Sequence, residues 1–126
     1  MGWQYFNPNP QHNDTGDCVI RALSLAFDTD WETTYLNVII QGYDMHMMPS
    51  NNAVWDLYLK RNGYKRSMLS NECPDCYTIK DFCIDYPTGL YILATGSHVV
   101  TVINGDYYDT WDSGDEVVLY FYRKET

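Results

Sequence analysis

His98-Val99-Val100-Thr101-Val102-Ile103-Asn104-Gly105-Asp106-Tyr107-Tyr108-Asp109-Thr110-Trp111 decides the fold class. Two runs rich in β-branched and aromatic residues flank Asn104-Gly105, and both turn residues tolerate the positive φ that a type I′ hairpin demands. The spacing predicts strands over 98–103 and 106–111. Leu90 to Thr95 before them and Val117 to Tyr122 after them have the same character, which gives four antiparallel strands over 89–126.

Upstream of Gly89 the apolar period changes. Val19, Ile20, Ala22, Leu23, Ala26 and Phe27 recur at three- and four-residue steps, the stripe of an amphipathic helix beginning beside Cys18. Thr29-Asp30-Trp31-Glu32 fits a capping box for a second helix carried by Trp31, Tyr35, Val38 and Ile39 as far as Gly42. A third helix, capped by Ser50 or Asn51, buries Val54, Leu57 and Tyr58 and stops near Gly63; Tyr64 to Met68 reads as a short strand. Thr78-Ile79-Lys80-Asp81 opens a last short helix that Pro87 ends. The first sixteen residues, with Asn7-Pro8-Asn9-Pro10, read as a lead-in loop. The expectation is one α+β domain over 1–126: a loop over 1–16, a mainly helical part over 17–88, and helices packed on a C-terminal antiparallel sheet.

Composition narrows function. With 45% apolar and 16% aromatic residues in 126, the chain has the material for a packed core without disulfides. Eight Lys and Arg against seventeen Asp and Glu leave a net charge of −9, which repels a phosphate backbone and disfavours a nucleic-acid partner. Apolar runs such as Val38-Ile39-Ile40 are far shorter than a membrane span of about 20 residues. The N-terminus lacks the basic head and apolar stretch of a secretory signal, so a cytoplasmic location is expected and the four cysteines read as thiols.

Cys18 follows the turn Asp14-Thr15-Gly16-Asp17 at a helix N-terminus, where open amides and the macrodipole favour thiolate. The plain alternative is a small buried side chain in the first helical turn. Asp17 would raise the thiol pKa unless it points away or pairs with Arg21. In the hairpin, alternation puts His98, Val100 and Val102 on one face, and a two-residue turn sets Val100 against Asp109. Asp109 then lies diagonally across from His98; a longer loop or a bulge would offer Asp112 instead.

The segments Thr15-Gly16-Asp17-Cys18-Val19-Ile20-Arg21-Ala22, Gly96-Ser97-His98-Val99-Val100 and Tyr108-Asp109-Thr110-Trp111-Asp112-Ser113 resemble the papain-like cysteine peptidases, particularly compact bacterial and phage members such as cell-wall endopeptidases of the NlpC type. The stretch from Asn7-Pro8 to Ala22, with Trp31-Glu32, also resembles a group of small phage and prophage proteins. The resemblance implies a papain-like fold with Cys18 as nucleophile, His98 as general base and later acid, and Asp109, or else Asp112, fixing the imidazole tautomer. It implies no cofactor. It also implies an oxyanion donor from a glutamine about six residues before the cysteine; Gln11 stands seven before, and Asn13 and Asn7 compete.

Cys73-Pro74-Asp75-Cys76 with Cys83 is an incomplete zinc pattern lacking a second ligand pair. The loop with Tyr43, Met45, Met47 and Met48 reads as core cover or as a cleft lining. The expected function is a thiol hydrolase or acyltransferase, foremost a small cysteine peptidase cleaving a peptide or isopeptide bond in a peptide or protein substrate. The competing expectation is an acidic, non-enzymatic phage or prophage protein that keeps the scaffold and modulates a host protein, acting in the host cytoplasm.

Overall fold

The computed structural model describes residues 2–69 and 76–125. In chain order it contains β1 (Gly2–Tyr5), α1 (Cys18–Ala26), α2 (Trp31–Met45), α3 (Asn52–Arg61), β2 (Tyr64–Met68), α4 (Ile79–Asp85), β3 (Leu90–Ala94), β4 (Val99–Ile103), β5 (Asp106–Asp109) and β6 (Tyr120–Lys124). The class is α+β. The strands form one sheet in the order β1-β5-β4-β3-β6-β2.

The Asn104-Gly105 turn forms with φ of 49° and 80°, and it sets Ile103 opposite Asp106 and Thr101 opposite Tyr108. β3, β4 and β5 are a meander, but β6 returns to the far side of β3 and carries β2 beyond it. The sheet is mixed rather than purely antiparallel, because β1 pairs parallel with β5, Tyr5 beside Asp109. The expected lead-in loop is therefore corrected over 2–5. An edge strand needs only one partner, and four residues suffice to pair.

Period-two alternation divides the buried side chains between two faces. Ile92, Ala94, Val99 and Tyr122 pack with Ile20, Leu23, Val38, Val54 and Leu59 of α1 to α3, whereas Leu93, Val100, Val102 and Phe121 pack with Ile79 and Phe82 of α4. Strands covered on both sides read as continuous apolar runs, which explains Val99-Val100-Thr101-Val102. Thr101, at 0% exposure, donates its hydroxyl to the Ala22 carbonyl and ties β4 to α1.

Several element ends differ from expectation. Asp30, not Thr29, caps α2 by accepting from the Thr33 amide at 2.7 Å, while the Thr29 hydroxyl donates back to the Phe27 carbonyl. α2 also runs past Gly42 to Met45, ending on His46 at φ 55°. Gly42 is needed inside the helix for another reason: a Cβ there would lie 2.8 Å from the Met47 carbonyl oxygen. Asn51 caps α3, and Thr78 with Asp81 forms a reciprocal capping box on α4, as the sequence suggests. β6 begins three residues later than the expected Val117, because Val117 bridges to Thr78 and the Val118 amide donates to Tyr77. Among the described residues, no helix is long and apolar enough to cross a membrane.

Candidate active site

α1 begins at Cys18, and Asp17 in the capping position makes no side-chain bond to the helix amides. Its carboxylate goes elsewhere, accepting from Arg21 Nη1 on one oxygen and from Trp31 Nε1 at 2.9 Å on the other. Pairing with Arg21 offsets the repulsion Asp17 would exert on a neighbouring thiolate, and it leaves the first-turn amides without a side-chain cap.

His98 immediately precedes β4 and is 8% exposed. The turn that delivers it is closed by the Thr95 amide donating to the His98 carbonyl at 2.8 Å. Val100 and Val102 face α4, whereas His98 lines the same cleft as Cys18 of α1, so the alternation expected to group these three residues does not extend back to His98 before β4 begins. The relation to Asp109 nevertheless holds: His98 Nε2 lies 2.5 Å from Asp109 Oδ2. With Nε2 committed, Nδ1 is the ring nitrogen left for the thiol.

Asp109 ends β5 at 2% exposure, and both of its oxygens are taken. Oδ2 also accepts from the Ser113 hydroxyl at 2.6 Å, and Oδ1 accepts from the Thr110 amide at 2.8 Å and from Arg21 Nη2 at 3.2 Å. Its carbonyl accepts from the Phe6 amide and Trp3 Nε1, so β1 holds the backbone behind it. Trp111 covers the imidazole, with ring centroids 5.2 Å apart. Asp112, the alternative orienter, is turned away: it accepts from the Tyr107 hydroxyl and from the Gly114 amide.

Burial pushes the Cys18 thiol up, but the His98 hydrogen bond, the Val99 amide and the charges of His98 and Arg21 together bring it below its ordinary value. For His98, burial favours the neutral ring; hydrogen bonds and charges from Asp109 and Cys18 overcome it and raise the imidazole to about 9. Asp109 is held below the carboxylate range against its own burial, chiefly by His98 and Ser113. All three shifts favour a thiolate, an imidazolium and a carboxylate in a row.

Cys18 and His98 open onto a cleft of about 570 Å³. One wall is apolar, formed by Trp31, Tyr35, Val38, Ile39, Met48 and Trp55, with Trp31 and Tyr35 stacked at 4.9 Å. The Met48 segment thus lines the cleft. Gln11, Asn13 and Asn7 do not: Gln11 is exposed, and Asn7 and Asn13 line a separate depression of about 320 Å³ with Tyr5, Arg21 and Trp111. The expected side-chain oxyanion donor is corrected accordingly. Thr15, Gly16 and the first residues of α1 border the cleft beside Cys18.

The remaining cysteines stand apart. Cys76 is disulfide-bonded, which overturns its expected thiol state, and Cys83 is buried in the α4 core, its thiol pushed up to about 11 by burial and by Asp106. Cys76, as a disulfide, offers no thiolate for zinc; Cys73 lies outside the described residues. No group of three His, Cys, Asp or Glu able to hold a metal occurs among the described residues. The residues that sequence reasoning missed are Ser113 and the second arm of Arg21. Compared with protein-family models, curated proteins and solved structures, the chain matches no family, no curated protein and no solved structure.

Proposed function

We propose that the protein is a thiol hydrolase or acyltransferase, foremost a cysteine peptidase of papain-like arrangement acting on a peptide or isopeptide bond through Cys18, His98 and Asp109. The observation that carries this reading is the placement of one buried imidazole, paired with a buried carboxylate 2.5 Å away, on the same cleft as the Cys18 thiol. A structural cysteine has no need of an imidazole–carboxylate pair beside it on an open cleft.

In this reading the Cys18 thiolate attacks the carbonyl carbon, forming a C–S bond while the carbonyl electrons move to oxygen. Open amides at the start of α1 stabilise that oxyanion. Collapse breaks the C–N bond, and the His98 imidazolium gives its proton to the leaving amine. The neutral imidazole then takes a proton from water, whose oxygen attacks the thioester; the C–S bond breaks, and the acid and the thiolate–imidazolium pair are released. Asp109 holds the ring by Nε2 throughout, so that Nδ1 faces the reaction. An amine acceptor in place of water turns the same steps into transamidation.

The test is alkylation of the native protein by iodoacetamide from pH 4 to 9, with each cysteine followed by peptide mass spectrometry. Cys18 is expected to react well below the ordinary thiol pKa of about 8.5 and to lose that reactivity in His98→Ala. Turnover of a peptide library, abolished in Cys18→Ala, then identifies the bond. An inert Cys18, or one titrating ordinarily with or without His98, overturns the reading and favours the acidic binding protein.

A further inference from the structure

Arg21 is charged and 8% exposed, and it lies one helical turn beyond the residue preceding the nucleophile. Its guanidinium forks: Nη1 donates to Asp17 Oδ1, and Nη2 donates to Asp109 Oδ1 at 3.2 Å. Those two carboxylates belong to different parts of the chain, Asp17 before α1 and Asp109 at the end of β5. Asp17 is itself held by Trp31 of α2, so a continuous run of bonds passes from Trp31 through Asp17 and Arg21 to Asp109 and His98. A planar fork holds the two carboxylates at fixed angles to one another, which the compact point charge of an ammonium does not do.

The consequence falls on the Asp109 carboxylate. A carboxylate rotates about χ2, and the Oδ2 that faces His98 and Ser113 is held in line more tightly when Oδ1 is anchored as well. The Thr110 amide and Arg21 supply that anchor, and Arg21 is the member fixed to the helix that carries the nucleophile. The charged and titratable groups around the guanidinium are Asp17, Asp109, His98 and Cys18, with His12 and Asp14 across the neighbouring depression.

We propose that Arg21 is a positioning residue: by bridging Asp17 and Asp109 it locks the Asp109 carboxylate in the orientation that aligns His98 with Cys18, and so sets the reactivity of the nucleophile. The inference rests on the catalytic reading above. Its rival is that Arg21 only neutralises Asp17, with Asp109 a bystander.

A mutant cycle read by Cys18 alkylation against pH separates the two. Arg21→Met is expected to slow alkylation about tenfold at pH 6 and to move the acid limb of the profile up by about one unit. Asp17→Asn combined with Arg21→Met removes both charges. If Arg21 acts through Asp109, the double variant stays about tenfold slow and adding Asp109→Asn costs little more. If Arg21 only neutralises Asp17, the double variant regains the wild-type profile, or the Asp109→Asn and Arg21→Met losses multiply; either result overturns the proposal.

Variants are compared only where near-ultraviolet circular dichroism and a cooperative melt show the native fold. Should Arg21→Met unfold, Arg21→Lys and the double variant carry the comparison, and a lysine variant with wild-type rate and profile overturns the need for a fork. A wild-type Cys18 that titrates ordinarily and ignores His98→Ala marks a different failure. In that case the catalytic reading falls, and this inference falls with it.

Discussion

Thr101 and Ala22 join the two halves of the candidate site: the Thr101 hydroxyl on β4 donates to the Ala22 carbonyl on α1 at 2.7 Å, in a spot with no solvent exposure at the threonine. The helix bearing Cys18 is thereby fixed in height against the strand that follows His98. Thr101→Val keeps the shape and removes the donor. It is expected to lower stability by about 1 kcal/mol in urea titration, the usual net worth of a buried neutral bond. The acid limb of Cys18 alkylation should rise with it. A more stable variant with an unchanged limb would show that apolar packing alone sets the height.

The two acidic candidates make a sharp comparison. Asp109→Asn offers an amide where His98 Nε2 needs a carboxylate and favours the wrong tautomer, so peptide turnover should fall by about 10³- to 10⁴-fold. Asp112→Asn loses only a partner of Tyr107 and the Gly114 amide, and turnover should stay within about twofold. Equal losses in both variants would count against Asp109 as the orienter.

The pH dependence of stability follows from the directions of the shifts. His98 has its folded pKa raised from 6.5 to about 9, so its contribution is complete below 6.5 and is lost as pH climbs through about 9. Cys18 runs the other way: its lowered value contributes above 9.0 and is lost as pH falls through the folded pKa. Between these limits the two oppose each other. In Cys18→Ser only the histidine remains, and stability should decline as pH rises above 6.5, whereas Cys18→Ser with His98→Gln should lose that decline. Asp109, lowered below 3.8, is expected to contribute everywhere above 3.8 and to be lost in stronger acid. Guanidinium titrations at half-unit pH steps measure all three.

How much of this was legible in the sequence depended on how local each determinant is. Asn104-Gly105 specifies its own backbone, and once the turn is fixed the register of Asp109 against the strand after His98 follows, so this pair was readable. β1 is not readable: Gly2-Trp3-Gln4-Tyr5 is too short for its alternation to stand out from a loop, and its partner β5 lies about a hundred residues on. The Thr29-Glu32 capping box failed because Asp30 offers a competing oxygen one residue on, and local propensity does not rank the two. Gln11 was sought by the spacing of a resembled family, and the loop that carries it turns away from the cleft. The Arg21 to Asp109 bond joins residues 88 apart and leaves no trace in pattern or period.

Gly42 supplies a prediction in which two effects compete. Alanine at an interior helix position gains about 1 kcal/mol of propensity over glycine. Against this, its Cβ would meet the Met47 carbonyl oxygen at 2.8 Å and the Pro49 backbone at 3.4 Å, a clash of main chain that costs about 1–3 kcal/mol. Gly42→Ala is therefore expected to lower the melting temperature and, through Met48 and Pro49, to alter the apolar wall of the cleft. A higher melting temperature would mean that the 47–49 segment yields freely.

The pairing of β1 with β5 also governs when the site comes into being. A chain made from its amino end exposes Trp3 and Cys18 first, whereas Asp109, its Ser113 partner and the strand that receives β1 follow much later in the sequence. Long-range pairing of this kind forms late. Until then Cys18 lacks the imidazole that lowers its thiol. Under the catalytic reading proposed above, the topology works as a timer: the event that closes the sheet is also the one that completes the site.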